Sequence, residues 1–348
     1  MKKKRVAIIL GGQSREHEVS VTSARNIIAA LDRERWEPVP IGITRRGNWL
    51  TASGTRDALR RGLRSLESGG ESMLASRGLS ELAGCDAAFP IIHGTFGEDG
   101  TLQGLLEMAG LPYAGAGVAA SAIGMDKALM KALFTEAAIP VTPFGVIRSW
   151  EYADAQNVVS FAERTVGYPC FVKPANGGSS VGVTMARSRE DLPAAFASAF
   201  ACDDKVIVER AVVGQEVEVS VLGNEHPRAS IVGEIVPDRD FYDYDSKYAS
   251  DSTTTLHIPA RIPPATAERV REMAVRMYQA MGCEGYARVD FFVADGETVI
   301  ANEVNTIPGF TNISMYPKLW EASGIGYTEL LSRILDLAFE RHGRRQRE

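Results

Sequence analysis

Cysteine is scarce: there are four in 348 residues, at positions 85, 170, 202 and 283, and no two form a Cys-x-x-Cys pair. That scatter excludes a disulfide scaffold and predicts reduced, mostly buried thiols in a cytoplasmic protein. The five histidines show no ligand spacing, which argues against zinc. Long apolar runs are also missing, and nothing approaches the roughly 20 residues of a membrane span. The opening MKKKR followed by VAIIL imitates a secretion signal, but its apolar run stops at Gly11-Gly12, too short for one. There is no basic excess. With 38 Lys and Arg against 44 Asp and Glu the net charge is −6, which favours neither nucleic acid nor an anionic membrane as partner. Two nucleotide signatures are missing as well. No G-x-G-x-x-G follows the first apolar run, and no Gly-Lys pair occurs anywhere, so neither the dinucleotide fingerprint nor a Walker loop is present. What remains is an ordinary globular composition, 45% hydrophobic and 24% charged, long enough for two or three domains with ample core.

The most informative stretch is GYARVDFFVADGETVIANEVNTIPGFTNISMYP, residues 285–317. Asp295-Gly296 is a two-residue hairpin signal between runs rich in Val, Phe and Ile. Pairing about that turn sets Arg288 opposite Glu303 and Asp290 opposite Ala301. Alternation then gathers Arg288, Asp290, Glu303 and Asn305 on one face, and Val289, Phe291, Val293, Ile300 and Val304 on the other. Two carboxylates and an amide oxygen without His or Cys form a hard oxygen site, suited to Mg²⁺ with phosphate oxygens and water. Arg288 beside them could hold a phosphoryl group or an oxyanion. The alternative is a solvated hairpin face with a cross-strand salt bridge of little worth.

Elsewhere the chain opens as βαβ: a buried strand at 6–10, a helix with Val21, Ala24, Ile28 and Leu31 at helical spacing, and a strand at 39–43. Residues 51–80 read as a surface excursion in which Arg56, Arg60, Arg61 and Arg64 form a solvated face. A strand at 87–92 runs into His93-Gly94-Thr95-Phe96-Gly97-Glu98-Asp99-Gly100, with a helix from about Thr101. Polar loops at the carboxyl ends of parallel strands are where α/β ligand sites form, although a loop histidine can equally have no role. Residues 111–118 read as a linker, followed by one helix that carries Met125-Asp126-Lys127. Lys173-Pro174 closes a strand before a glycine-rich hairpin loop, 175–182, whose exposed amides suit phosphate. An ordinary flexible hairpin tip is the alternative there. A strand at 206–208 leads into Glu209-Arg210-Ala211-Val212, and 216–221 alternates polar and apolar as a strand should. Residues 237–258 are long, polar and short of core residues, as a lid would be, and Tyr242, Tyr244 and Tyr248 argue against disorder. Helices are expected at 264–281 and 327–339, with a solvated RRQRE tail.

Five of these stretches, in order along nearly the whole chain, resemble the ATP-grasp ligases and, among them, the D-alanine–D-alanine ligase family. They are HGxxGEDG, Asp126-Lys127, KPxxxGSSVG, FYDYxxKY and Asn-Thr-x-Pro-Gly with the later Ser314. Gly177 departs from the Glu, Gln or Ser usual in the family, and Arg210 from the usual Lys. The resemblance implies a mixed α/β and α+β fold of three domains. An N-terminal parallel, Rossmann-like α/β domain (1–118) would be followed by a central ATP-grasp subdomain (119–211). The C-terminal ATP-grasp domain (212–348) would carry an ω-loop lid and the metal site. ATP would bind through Lys127, Lys173 and Lys247, the adenine linker Glu209, Arg210 and Val212, and Glu216 on the ribose. Two Mg²⁺, with Mn²⁺ as substitute, would sit on Asp290, Glu303 and Asn305. Glu16 would hold the ammonium of the first D-alanine, with Ser179 and Tyr248 bonded to it. His93 would lie by the acyl phosphate, Ser314 would hold the second carboxylate, and Arg288 with the Gly309 amide would stabilise the oxyanion. The expected product is D-alanyl-D-alanine, made from D-alanine and ATP by a cytoplasmic homodimer for peptidoglycan precursors. D-lactate or D-serine as acceptor is an alternative. A nucleotide-gripping protein without catalysis is a more distant one, since it would not need Lys173, Arg288, Asp290, Glu303 and Asn305 together.

Overall fold

The computed structural model describes residues 2–62, 64–178, 181–236 and 254–346. Three sheets organise it. In the first, β1 (Lys4–Gly11) connects through α1 (His17–Ala30) to β2 (Trp36–Ile43), and the two strands pair in parallel. Residues 6–10 of β1 are fully buried, as a continuous apolar run in a covered parallel sheet should be. Ile27 rather than Ile28 completes the buried stripe of α1. The excursion holds α2 (Ala52–Arg60) and α3 (Arg77–Ser80), with Arg56, Arg60, Arg61 and Arg64 exposed as expected. β3 (Ala87–Pro90) joins the other edge of β1, also in parallel, and α4 (Thr101–Met108) follows the polar loop.

Residues 111–118 are not an exposed linker. Tyr113, Ala114 and Ala116 are buried, and the Arg341 guanidinium donates to the carbonyls of Tyr113 (2.9 Å) and Gly115. The single helix expected next is two, α5 (Val118–Met125) and α6 (Lys127–Glu136). Asp126 breaks it. Its carboxylate accepts from the amides of Ala128 and Leu129 as an N-cap and is paired with Lys205.

The second sheet contains β4 (Phe144–Arg148), β5 (Cys170–Pro174), β6 (Thr184–Ala186) and β7 (Lys205–Arg210), antiparallel in the order β4-β7-β5-β6. α7 (Ala155–Thr165) and α8 (Leu192–Phe200) share its core. β7 runs through Glu209 and Arg210, which the sequence suggests lie in the linker after it. The third sheet contains β8 (Gln215–Leu222), β9 (Arg228–Val236), β10 (Thr255–His257), β11 (Tyr286–Ala294) and β12 (Thr298–Asn305), antiparallel in the order β10-β9-β8-β11-β12. Its core is closed by α9 (Pro264–Ala280). Finally α10 (Met315–Ala322) and α11 (Tyr327–Arg345) pack into the same core as α1 and the first sheet. Phe310 sits edge-on to Phe89 and Tyr286 at 5.7 Å in each case. The tail is less solvated than expected: Arg344 pairs with Glu225 (2.6 Å) and Glu284, and Arg345 with Glu107. Of the thiols, Cys170 and Cys283 are buried, while Cys85 is half-buried and Cys202 exposed.

The central hairpin forms with a different register from the one expected. Asp295 and Gly296 both take positive φ (52° and 71°), yet Ala294 pairs with Thr298 rather than Glu297. A second slip leaves Asn302 in a bulge, with Phe291 opposite Ala301 and Asp290 opposite Glu303. Arg288 therefore faces Asn305. The four polar residues still share a face, because two single-residue slips restore the parity. Ile300 does not keep its expected place: it pairs with Phe292 on the polar side, and Val299 and Ala301 enter the core.

Candidate active site

The bulge has a chemical consequence. It sets Glu218 of β8, Asp290 of β11 and Glu303 of β12 in one row across the sheet, with Ser220, Arg288 and Asn305 in the next. Arg288 grips Asp290 with two bonds of 2.7 Å and reaches Glu218 at 3.1 Å. Burial works against its charge, but these two carboxylates more than offset that and hold it protonated. Glu218 carried no expected role. The signal for it lay in the alternation Glu216-Val217-Glu218, which puts it on the polar face with Glu216.

Four loops converge on this row. The first follows β1 and presents Glu16 at the start of α1. The second follows β3: the Nδ1–H of His93 donates to the Ile307 carbonyl at 2.8 Å, so Nε2 carries the lone pair, buried and without a hydrogen-bond partner among the described residues. Burial holds this imidazole neutral, its pKa lowered first by desolvation. The third is the glycine-rich loop. A Cβ on Gly178 would lie 3.4 Å from Glu16 Oε2 and 4.0 Å from Glu98 Oε1, so the loop passes close over both carboxyls. Lys127 ties the loop down by donating to the Gly177 carbonyl at 2.6 Å, and it lies 3.7 Å from Glu303. The fourth is the turn after β12. Asn305 Oδ1 accepts from the Ile307 amide at 3.0 Å, and Phe310 donates its amide to Ser23 of α1 at 3.1 Å. Ser314 Oγ accepts from the Thr311 amide at 3.0 Å and would lie 2.7 Å from a Cβ on Gly309.

The result is a cleft of about 730 Å³ lined by Glu16, His93, Lys127, Glu216, Arg288, Asp290, Glu303, Asn305, Gly309 and Ser314. Lys173, Glu209, Arg210 and Val212 do not line it. Lys173 and the fully buried Lys131 instead share Glu209, at 3.0 Å for Lys131. Burial opposes the charge on Glu209, but the two lysines hold its pKa down to about 2. The amides of Arg210 and Ala211 are bonded to the carbonyls of Pro143 and Pro169, at 3.0 Å each. The Arg210 side chain donates to the Val166 carbonyl at 2.8 Å. Ser179, Lys247, Tyr248 and most of the 237–258 segment lie outside the described residues.

Glu98 is the residue that sequence reasoning missed most clearly. Its Oε2 is buried without a hydrogen-bond partner among the described residues. Burial, and then the charge of Glu16, push its pKa up to about 8. Folding therefore favours the neutral acid. That contribution is whole below about pH 4.3, the unfolded value, and is lost as pH rises through about 8. Glu98→Gln keeps the shape of the neutral acid, so in the ligand-free protein it should flatten part of the loss of stability between about pH 5 and pH 8.5. Urea denaturation at the two pH values measures this. An unchanged slope contradicts a buried neutral Glu98.

On the polar face of β11 and β12 the side-chain donors Asp290, Glu303 and Asn305 offer a metal oxygens only. Asp290 and Glu303 face each other across the strand pair, and Asn305 lies one rung on. This set fits Mg²⁺, which takes one or two carboxylates and completes its shell with phosphate and water.

Comparison with known proteins agrees over the full length. Residues 5–116 match the family described as D-ala D-ala ligase N-terminus, and residues 133–336 match D-ala D-ala ligase C-terminus. A D-alanine–D-alanine ligase of Heliobacterium modesticaldum is 49% identical over 100% of this chain and 98% of its own. The D-alanine–D-alanine ligase A of Escherichia coli is 45% identical over 98% and 97%. Among solved structures, the D-alanine–D-alanine ligase of Coxiella burnetii matches with a TM-score of 0.82 at 35% identity, over 99% of this chain and 98% of that one. The VanG D-Ala:D-Ser ligase of Enterococcus faecalis matches with the same TM-score at 33% identity, over 97% and 100%. The fold is thus that of the ATP-grasp ligases, and this chain belongs to the D-alanine–D-alanine ligase family.

Proposed function

We propose that this chain phosphorylates the carboxylate of one D-alanine with ATP and joins it to the amine of a second, giving D-alanyl-D-alanine, ADP and phosphate. The dipeptide would serve peptidoglycan precursors. The observation that carries the reading is the polar row of β8, β11 and β12 meeting the Glu16, His93 and glycine-rich loops in one cleft. A carboxylate does not acylate an amine in water unaided. A carboxylate oxygen attacks the γ-phosphorus and ADP leaves. The amine then attacks the acyl carbon, phosphate leaves, and the nitrogen gives up a proton.

The roles we assign are those the family resemblance implies, and Glu16, Lys127, Glu216, Arg288, Gly309 and Ser314 support them by lining the cleft. Glu16 receives the ammonium of the donor D-alanine, with Ser179 and Tyr248. Lys127, beside the Gly177 carbonyl, meets the phosphates together with Lys173 and Lys247. Lys173 must exchange Glu209 for phosphate when nucleotide enters, and Glu209 and Val212 then face adenine and Glu216 the ribose. Arg288 and the Gly309 amide face the oxyanion, where fixed donors contribute most. Ser314, at the N-terminus of α10, receives the acceptor carboxylate. Family membership implies ATP with Mg²⁺. Asp290, Glu303 and Asn305 would hold the metal, which would supply charge neutralisation on the moving phosphoryl group. Two ions, Mn²⁺ as substitute, the domain division at 118 and 211, a homodimer and a cytoplasmic location belong to the same proposal. No described helix is long and apolar enough to cross a membrane.

The likeness to a D-Ala:D-Ser ligase favours D-serine as the second reading for the acceptor. Phosphate release and product analysis with D-alanine alone, and with equal D-alanine and D-serine or D-lactate near pH 7.5, separate the readings. Dipeptide of D-alanine is expected to dominate. A product that is mainly the D-serine peptide or the D-lactate ester overturns the acceptor assignment.

A further inference from the structure

The excursion between β2 and β3 has no part in the site described so far, yet it is fastened to the loop that presents Glu16. His17 is the fastening. It is fully buried, and both ring nitrogens are used. Nδ1 lies 2.6 Å from the Gly12 carbonyl, and Nε2 lies 2.8 Å from the Leu66 amide nitrogen. A carbonyl can only accept and an amide N–H can only donate, so the tautomer is fixed: Nδ1 carries the proton and Nε2 the lone pair. The first bond closes the turn from Gly12 to His17 that contains Glu16. The second ties that turn to residues 65–67. Those residues are anchored in their own right, because Leu66 is buried in the core shared by the first sheet and α1. Arg45 adds a clasp from the loop after β2. Its guanidinium reaches Ser65 at 3.1 Å, and Glu67 and Glu18 at 3.2 Å each, while its amide donates to the Leu66 carbonyl at 3.1 Å.

We propose that His17 is a positioning residue for the donor subsite, and that residues 65–67 act through it as a strap holding Glu16 where the ammonium of the first D-alanine binds. The inference rests on the reading of Glu16 given above. A displacement of about 1 Å at a charged contact is enough to weaken substrate positioning severely, which is why such a loop benefits from being closed at both ends.

The strap is pH-sensitive by construction. A protonated His17 would set an N–H against the Leu66 N–H. The groups facing the ring are Arg45 from the loop after β2, Glu67 from the strap and Glu18 from α1. Burial lowers the pKa of the ring. The Gly12 carbonyl raises it, Arg45 lowers it, and Glu67 and Glu18 raise it, with a net lowering. The link is therefore whole above about pH 6.5 and is lost as pH falls through the ring's own lowered pKa, beneath that value.

Variants of His17 and Arg45, a Glu16 control and a pH series test the proposal. Velocity against D-alanine, which enters twice, is fitted with separate donor and acceptor constants. In His17→Met, which loses both bonds, the donor KM should rise about tenfold, while kcat and the KM for ATP move less than about twofold. His17→Gln offers an acceptor and a donor at similar separation and should restore most of the loss. It cannot titrate, so the rise in donor KM expected of the wild type as pH falls below about 6.5, toward the ring's lowered pKa, should flatten. Should His17→Met fail to fold, Arg45→Met loosens residues 65–67 without touching the ring, and the donor KM should rise about threefold. Glu16→Gln is the control. If it leaves the donor KM unchanged, the donor reading itself fails. If it raises the donor KM while the His17 and Arg45 variants and the pH series leave it at the wild-type pattern, the strap is overturned and His17 is only a core residue.

Discussion

Glu303→Gln is expected to lower kcat by about 10² to 10³, with the melting temperature within about 2 °C of wild type, as befits a charged group that acts on charge developing in the reaction. The two halves of that result have separate causes. Glu303 faces Asp290 across β11 and β12 and is the second carboxylate of the oxygen face. Gln keeps its size but not its charge, so a metal with its phosphate ligands loses half of its protein counter-charge. Little stability depends on the carboxylate, because its side chain is 31% exposed and its cationic neighbour Lys127 is 3.7 Å away. The requirement for Mg²⁺ should shift to higher concentration as well. Turnover within a few-fold of wild type at ordinary Mg²⁺ would remove Glu303 from the metal site.

Arg288 should give the second large effect, and here activity and stability move together. Its guanidinium lies between Asp290 and Glu218, whose side chains are 10% and 8% exposed. Arg288→Met takes from two nearly buried carboxylates the guanidinium they share. Breaking such a group by removing one partner costs about 3–5 kcal/mol. Arg288→Lys separates the functions. A lysine keeps the positive charge and much of the stability, but it has no planar fork with which to hold Asp290 and still face an oxyanion. We expect Arg288→Lys to recover at least half of the lost stability in urea denaturation while kcat stays about 10² below wild type. Near-wild-type kcat in Arg288→Lys would mean that Arg288 serves only as a counter-ion for its two carboxylates.

These residues also show how far the sequence could be read. Alternation put Arg288, Asp290, Glu303 and Asn305 on one face, and they share one. Their pairing could not be read, because a single bulged residue, Asn302, leaves no mark in a run of alternating side chains. Without it Glu303 would not face Asp290. The parallel βαβ opening was legible because fully apolar strands flank a helical stripe. The break at Asp126 was not, because a capping aspartate inside a continuous apolar pattern looks like any polar surface residue until its carboxylate is seen turned onto the Ala128 and Leu129 amides. Residues 111–118 misled through composition. Small residues suggest a linker, yet here they let the chain pass under Arg341. Glu98 stands within the HGxxGEDG motif, but its burial beside Glu16 is a property of packed loops. Glu218 could have been found by extending the alternation of β8 across to β11.

The central claim is that the donor carboxylate is activated as an acyl phosphate in this cleft. The most direct measurement uses D-alanine labelled with ¹⁸O in both carboxylate oxygens, with ATP and Mg²⁺, and mass analysis of the products. The account predicts ADP, unlabelled at its phosphates, and inorganic phosphate carrying one ¹⁸O for each D-alanyl-D-alanine formed, because the oxygen that attacks phosphorus departs with it. Phosphate free of label, or label in AMP with release of pyrophosphate, would contradict it.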